Sequence, residues 1–238
     1  LMARPGALSL LPLFLSMRAA IRSHVDALQA GLLSDEDKRR QRADEARLYL
    51  GMAQDYLVRP APRLVAVGGL SGSGKSRMSR ELAPYIGASP GARVVRTDVI
   101  RKRLWGVAPE VRLPNRAYSG EMHSKTYEAF YDEIREALAQ GHSVIADGVF
   151  ASSEQRNAVR QSAAEAGVPF TGIWMQATPE IMEQRVINRR HNASDATVDV
   201  LHQQLQYVLG DIDWNIVDSS GEKTATLAAG RHVLRQKT

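Results

Sequence analysis

The sequence predicts an α/β fold: a parallel five-stranded sheet with helices on both faces, preceded by an N-terminal helical segment. Three observations predict it. From Arg63 onward, short apolar runs alternate with longer amphipathic ones, and strands separated by helices imply βαβ units and a parallel sheet covered on both sides. The first apolar run leads into Gly69-Leu70-Ser71-Gly72-Ser73-Gly74-Lys75-Ser76, which matches GxxxxGK[ST], the loop that joins a strand to a helix around a phosphate. The first 57 residues carry a helical rhythm that ends at Pro60-Ala61-Pro62, a stop signal and a boundary. The chain therefore divides into a helical segment, 1–60, and an α/β domain, 61–238.

Within 1–60, Phe14, Met17, Ile21, Val25 and Leu28 recur at helical spacing up to Gly31 and predict one apolar stripe. Ser34 is placed to cap a second helix, with Asp35, Glu36 and Asp37 in its first turn, where the helix dipole favours acid. Ala46, Leu50, Ala53 and Leu57 form the predicted apolar stripe of that helix.

The α/β domain reads as Leu64–Val67 strand, Ser76–Tyr85 helix, Val94–Arg96 strand, then a short helix from about Asp98. Glu121–Gln140 is an amphipathic helix with Tyr127, Phe130, Ile134 and Leu138 on one face, closed by Gly141. Ser143–Ala146 is a strand, Ser153–Ala166 a helix and Phe170–Met175 a strand. Thr178 and Pro179 occupy the cap and first-turn places of the next helix. A further helix is expected from about Asp195 to Leu209, then a strand at Ile216–Val217 and a last helix over about Lys223–Arg235.

Composition narrows the function. The 238 residues include 44% hydrophobic ones, enough for one good-sized domain with an appendage. There is no cysteine, which excludes disulfides, thiolate metal sites and a cysteine nucleophile. The net charge of +5 comes from no basic tail. The one dense patch is 93–116, where seven Arg and Lys face only Asp98 and Glu110; it is the expected anion neighbourhood. Leu8–Leu15 is apolar but far shorter than the about 20 residues that span a bilayer. Pro12 within it and Arg18 and Arg22 beyond it speak against a secretory leader. The expectation is a cytoplasmic protein with no membrane partner; the oligomeric state is not legible.

The glycine-rich loop assigns the nucleotide. Gly69, Gly72 and Gly74 let the backbone curl so that successive N–H groups face phosphates, and the following helix adds its positive end. Ser71 and Ser73 complete the cradle, Lys75 reaches the β- and γ-phosphates, and the Ser76 hydroxyl ligates Mg²⁺. Arg77 follows directly and joins the same nucleotide-binding set. The implied cofactors are ATP and Mg²⁺. The motif alone does not separate transfer from hydrolysis.

Other residues argue for transfer. Asp98 stands just past the second strand, in Arg96-Thr97-Asp98-Val99-Ile100-Arg101, and ligands of open α/β sheets bind beyond the carboxyl ends of the strands. A carboxylate there can take the proton of an acceptor hydroxyl. Arg101, one helical turn on, shares its face; the competing reading makes Asp98 a helix cap paired to Arg101. Asp147 ends the third strand and is the natural second holder of Mg²⁺, or else a turn residue before Gly148. Arg185 and Arg189, with Arg190 beside them, lie four apart on the helix opened by Pro179. They read as a cationic lid over the phosphates or as a solvated face. Arg101 and Arg116, with Asp98, form the expected acceptor side: guanidinium forks suit carboxylate, phosphate and vicinal oxygens, so the acceptor is small, polar or anionic, and hydroxylated.

Taken together, Gly68-Gly69-Leu70-Ser71-Gly72-Ser73-Gly74-Lys75-Ser76, Thr97-Asp98-Val99-Ile100-Arg101, Val144-Ile145-Ala146-Asp147-Gly148-Val149-Phe150 and the arginine-bearing segment resemble the small P-loop kinases related to gluconate kinase, chloramphenicol phosphotransferase, zeta toxins and the kinase domain of polynucleotide kinase. The resemblance covers about 63–236. It implies a nucleoside-monophosphate-kinase-like sheet, Asp98 as base, Arg185 and Arg189 in a lid, and Val217–Gly221 near the adenine. A closer resemblance is to the carboxy-terminal ATP-binding half of bacterial bifunctional aminoglycoside phosphotransferase/ATP-binding proteins. Leu13–Arg22 looks like the closing helices of their amino-terminal half, which makes 1–60 a remnant of an upstream phosphotransferase-like domain. That half's catalytic motifs are absent from this sequence. The expected activity is a kinase acting on a small hydroxylated molecule. A nucleic-acid 5′-hydroxyl kinase, suggested by patch 93–116 and Trp105, ranks second, and an ATP-binding regulatory module third.

Overall fold

The computed structural model describes residues 7–188 and 194–236. The segment before Pro60 is a helical hairpin of α1 (Ala7–Leu32) and α2 (Glu36–Asp55). The cap of α2 is Asp35, not Ser34: its side chain accepts from the Lys38 N–H at 3.1 Å. The buried stripe also differs from the expected one. Phe14, Met17, Ile21, Val25 and Leu28 are exposed, Ile21 by 63%, as are Leu50 and Leu57. Ser16, Ala19, Asp26 and Ala30 of α1 are buried instead, with Ala46 and Ala53 of α2. Small side chains let the two backbones approach closely enough for hydroxyls to reach across. Ser16 Oγ donates to the Ala53 carbonyl and Ser23 Oγ to the Ala46 carbonyl, both at 2.8 Å. The buried Asp26 carboxylate is paired with Arg22 at 3.1 Å and Arg42 at 3.3 Å. Periodicity located the helices; the mode of packing chose the face.

Beyond Arg63, β1 (Leu64–Gly68), β2 (Arg93–Arg96), β3 (Val144–Asp147), β4 (Phe170–Gln176) and β5 (Asn215–Asp218) form one sheet in the order β2-β3-β1-β4-β5. All four pairings are parallel. Helices α3 (Lys75–Leu82), α4 (Thr97–Leu104), α5 (Gly120–Ala139), α6 (Ser153–Glu165), α7 (Pro179–Ile187), α8 (Val198–Leu205) and α9 (Lys223–Gln236) connect and cover it. The expected helix 195–209 is shorter at both ends: Thr197 caps α8 through the Val200 N–H, and the helix stops at Leu205.

Alternation along β1 divides the core, as a period of two requires. Leu64 and Ala66 point to one face, with Phe130, Ile134 and Leu138 of α5 and Val159 of α6. Val65 and Val67 point to the other, with Met78 and Leu82 of α3 and Leu234 of α9. A third cluster joins Met182 and Val186 of α7, Leu201 of α8 and Leu70 of the glycine-rich loop. Gly172 in β4 is glycine for a packing reason: a Cβ there would stand 2.4 Å from Cγ of Trp214, whose ring lies on the strand. No helix among the described residues is long and apolar enough to cross a membrane.

Candidate active site

β1 delivers the chain to the glycine-rich loop at the carboxyl edge of the sheet, and α3 begins at Lys75. Gly72 and Gly74 have φ of +82° and +89°, in the left-handed region that favours glycine. A Cβ on Gly72 would also lie 2.3 Å from the Met182 carbonyl oxygen. The first N–H groups of a helix lack intrahelical partners, so the start of α3 opens onto the cleft as an anion cradle.

Three elements distant in sequence hold this loop. The Ser71 N–H donates to Gln204 Oε1 of α8 at 2.8 Å. Ser219 Oγ, past β5, donates to the Ser73 carbonyl at 2.8 Å. Arg185 Nη1 donates to the Gly72 carbonyl at 3.3 Å and to Ser219 Oγ at 3.1 Å, and its Nη2 donates to the Ser219 carbonyl at 2.6 Å. The cleft alongside has a volume of about 410 Å³ and is lined by Gly74, Lys75, Ser76, Arg77, Arg185 and Ser219, among others. Arg185 thus reaches the cleft wall and also braces the loop. Of the expected lid, 179–195, α7 with Arg185 is described, while Arg189, Arg190 and His191 lie outside the described residues. Arg77 turns its Nε to Glu81 at 2.6 Å.

Lys75 is buried, 8% exposed, with Nζ donating to the Leu70 carbonyl at 3.4 Å. Ser76 and Asp147 stand together: Arg96 donates from Nε to Asp147 Oδ2 at 3.0 Å and from Nη2 to Ser76 Oγ at 3.2 Å. Burial pushes the Asp147 carboxyl up from its ordinary range, against the pull of Lys75, Arg96 and the Ser76 hydroxyl. One hydroxyl and one carboxylate beside a phosphate cradle fit Mg²⁺, which takes few protein oxygens and completes its shell with phosphates and water. In this structure a cation of the chain itself, Arg96, bridges that pair. Sequence reasoning left Arg96 in the basic patch; the signal that finds it is the sheet register, which sets Arg96 beside Asp147.

The acceptor side is built differently. The cap position of α4 is Arg96, with no side-chain cap bond, so Asp98 sits inside the first turn. Arg101 does not pair with it: its Nη1 donates to the Ala117 carbonyl at 3.1 Å and its guanidinium lies 5.0 Å over the Tyr118 ring. Both structural roles allowed for Asp98, cap and Arg101 partner, are therefore absent. Tyr118 and Tyr127 each feel the charges of both Asp98 and Arg101, and burial pushes both phenols well above the ordinary tyrosine range. His123 packs against Tyr127 in a tilted arrangement, with ring centroids 4.7 Å apart, and burial followed by the Arg101 charge lowers its pKa. Sequence reasoning placed Tyr127 on the apolar face of its helix and gave His123 no role.

The dense basic patch is largely neutralised within the fold. Arg93 and Arg103 pair with Glu133, Arg96 with Asp147, and Lys102 with Asp195. Arg101 is buried, and Arg116 lies 5.3 Å over the Trp105 ring. The anion surface expected from composition reduces to Arg101 and Arg116, set against aromatic rings, and the exposed Arg112.

Sheet order, loop and flanking carboxylates together define the class: a kinase-like P-loop domain. Residues 64–209 match the family model described as AAA domain, and the chain belongs to that family. Over 234 residues, 95% of this chain, it is 29% identical to the uncharacterized protein Rv2004c of Mycobacterium tuberculosis and spans 45% of that protein's length. Over 130 residues, 53% of this chain and 64% of the other, it is 31% identical to an adenylyl-sulfate kinase of Myxococcus xanthus. A gluconokinase from Sinorhizobium meliloti shares the fold, with a TM-score of 0.52 at 17% identity over 75% of this chain and 95% of that one.

Proposed function

We propose that the chain transfers the γ-phosphoryl group of ATP to a hydroxyl of a small-molecule acceptor, in the cytoplasm where ATP is available. The observation that carries this reading is Asp98, a carboxylate at the carboxyl end of β2 that neither caps its helix nor pairs with Arg101. In the proposed reaction the α3 N-terminus and Lys75 bind the β- and γ-phosphates. Ser76 and Asp147 would hold Mg²⁺, which would supply neutralisation of phosphate charge. The acceptor oxygen bonds to the γ-phosphorus as the bond to the β–γ bridging oxygen breaks. Asp98 takes the acceptor's proton and ADP leaves. Arg185 keeps the cradle in shape, and Arg101, Tyr118 and His123 border the acceptor.

Two relatives carry kinase names for small hydroxylated substrates, adenylyl sulfate and gluconate, which supports this acceptor class. The neutralised patch removes the main support for a nucleic-acid acceptor, whose phosphates need a track of unpaired cations. An acceptor screen with ATP·Mg²⁺ tests the proposal, following products by ³¹P and mass detection over sugars and sugar acids, adenylyl sulfate, aminoglycosides and 5′-hydroxyl oligonucleotides. A phosphorylated small molecule is the expected result. ADP release unchanged by every acceptor would overturn it in favour of an ATP-binding regulatory module.

A further inference from the structure

One carboxylate outside the reacting set accepts from three donors. Asp195 accepts from Lys102 Nζ at 2.8 Å, from the Leu113 N–H at 3.0 Å and from the Tyr118 hydroxyl at 2.8 Å. The three donors come from α4, from the loop after it and from the single turn Asn115–Tyr118, so one residue gathers the whole acceptor-side segment. Lys102 Nζ also donates to the Pro109 carbonyl at 2.8 Å. The Lys102–Asp195 pair is buried, with side-chain exposures of 1% and 9%. The adjoining residue, Ser194, lines the nucleotide cleft.

We propose that Asp195 is a positioning residue that couples the nucleotide cleft to the acceptor-side segment 102–118. A single peptide unit, with Cα atoms about 3.8 Å apart, separates a residue on the cleft wall from the carboxylate that orders Tyr118. Tyr118 lies under the Arg101 guanidinium and within the field of Asp98, so its position sets the wall against which an acceptor rests. A nucleotide that restrains Ser194 restrains Asp195, and through three bonds the segment. Coupling of binding sites is reciprocal, so an acceptor on that wall tightens nucleotide binding by the same factor. The three donors lie between 77 and 93 residues from Asp195 in the chain; the link exists only in the fold.

The proposal rests on reading the cleft as the ATP site, and one experiment separates the two. Amide hydrogen exchange is measured on the full chain with and without Mg²⁺ and AMP-PNP, a non-hydrolysable ATP analogue. In the wild type the analogue slows exchange in 69–76 and, by about threefold or more, in 109–118, since protection reports local opening. In Asp195→Asn the 69–76 protection persists and that of 109–118 disappears. Because Asp195→Asn leaves buried Lys102 without its charged partner, Tyr118→Phe provides a second variant that removes one bond and no charge; it reduces the 109–118 response. Equal slowing of 109–118 in the wild type and both variants would overturn the proposal, as would protection of 69–76 alone in the wild type. Absence of protection at 69–76 in the wild type would instead overturn the nucleotide reading itself, and the coupling with it.

Discussion

The two sides of the cleft are made in different ways. On the proposed nucleotide side most groups are consecutive: a loop of eight residues supplies glycines, amides, Lys75 and Ser76, and Asp147 joins them from the end of β3. On the acceptor side no two functional groups are neighbours. Asp98 and Arg101 come from α4, Tyr118 from a single turn, and His123 and Tyr127 from α5. Backbone chemistry at a phosphate tolerates little variation, because amides must curl around a fixed charge. Side chains on separate helices can be exchanged one at a time, which suits a site that distinguishes acceptors.

Substitutions can break or sharpen that contrast. The largest effect belongs to Lys75→Ala, which lowers ATP turnover by about 10³-fold, the scale of a lost charge-stabilising contact in a dry site. Its far-UV circular dichroism stays that of the wild type. Turnover that survives the change would end the nucleotide assignment. Next comes Asp98→Asn, which slows transfer by about 10²-fold while Mg²⁺·ATP affinity in titration calorimetry stays within about threefold. Loss of nucleotide affinity in place of turnover would move Asp98 to the nucleotide side and dissolve the division.

Gln204→Ala tests the bracing from outside the loop. The buried Ser71 N–H loses its acceptor, a loss of about 1–3 kcal/mol, and AMP-PNP binding weakens by about tenfold. Unchanged affinity would show that the loop keeps its shape unaided. The smallest effect is a pH dependence on the acceptor side. Burial opposes ionisation of Asp195, but the bonds from Lys102, the Leu113 N–H and Tyr118 outweigh it and hold its pKa below the ordinary carboxylate value. A depressed pKa contributes stability above the unfolded value, about 3.9, and that contribution fades as pH falls through the folded value. Urea unfolding should show wild type more stable than Asp195→Asn at pH 7, with the gap closing below about pH 4. A gap that persists to the lowest pH would deny Asp195 its charged role.

The same contrast explains what the sequence revealed. The strands and helices of the α/β domain were legible because alternating apolar runs and a capping residue such as Thr178 are local signals. The glycine-rich loop Gly69–Ser76 was legible because its motif is contiguous, and the places of Asp98 just past β2 and Asp147 at the end of β3 because strand ends are local signals. The neutralised patch was not legible. Lys102 and Asp195 lie 93 residues apart, and Arg96 and Asp147 51 apart, so charge counting saw cations without their partners. The sequence predicts a helix from about Asp195, but α8 begins three residues later. In the hairpin, the strongest apolar rhythm identified the exposed face of α1, because Ser16 and Ser23 bond to opposing carbonyls and favour the side where backbones meet.

Arg116 stacked on Trp105 divides the tryptophans into two optical populations. Trp174 and Trp214 are both 5% exposed within the core, an apolar setting that emits to the blue. Trp105 is only partly buried, on the acceptor side beneath a guanidinium, and emits to the red. Emission collected at the red edge therefore favours Trp105. A ligand that draws Arg116 away from its ring shifts that component, while the two core indoles serve as an internal standard. The protein carries its own reporter on the half of the cleft whose ligand most needs one, with no dye or label attached.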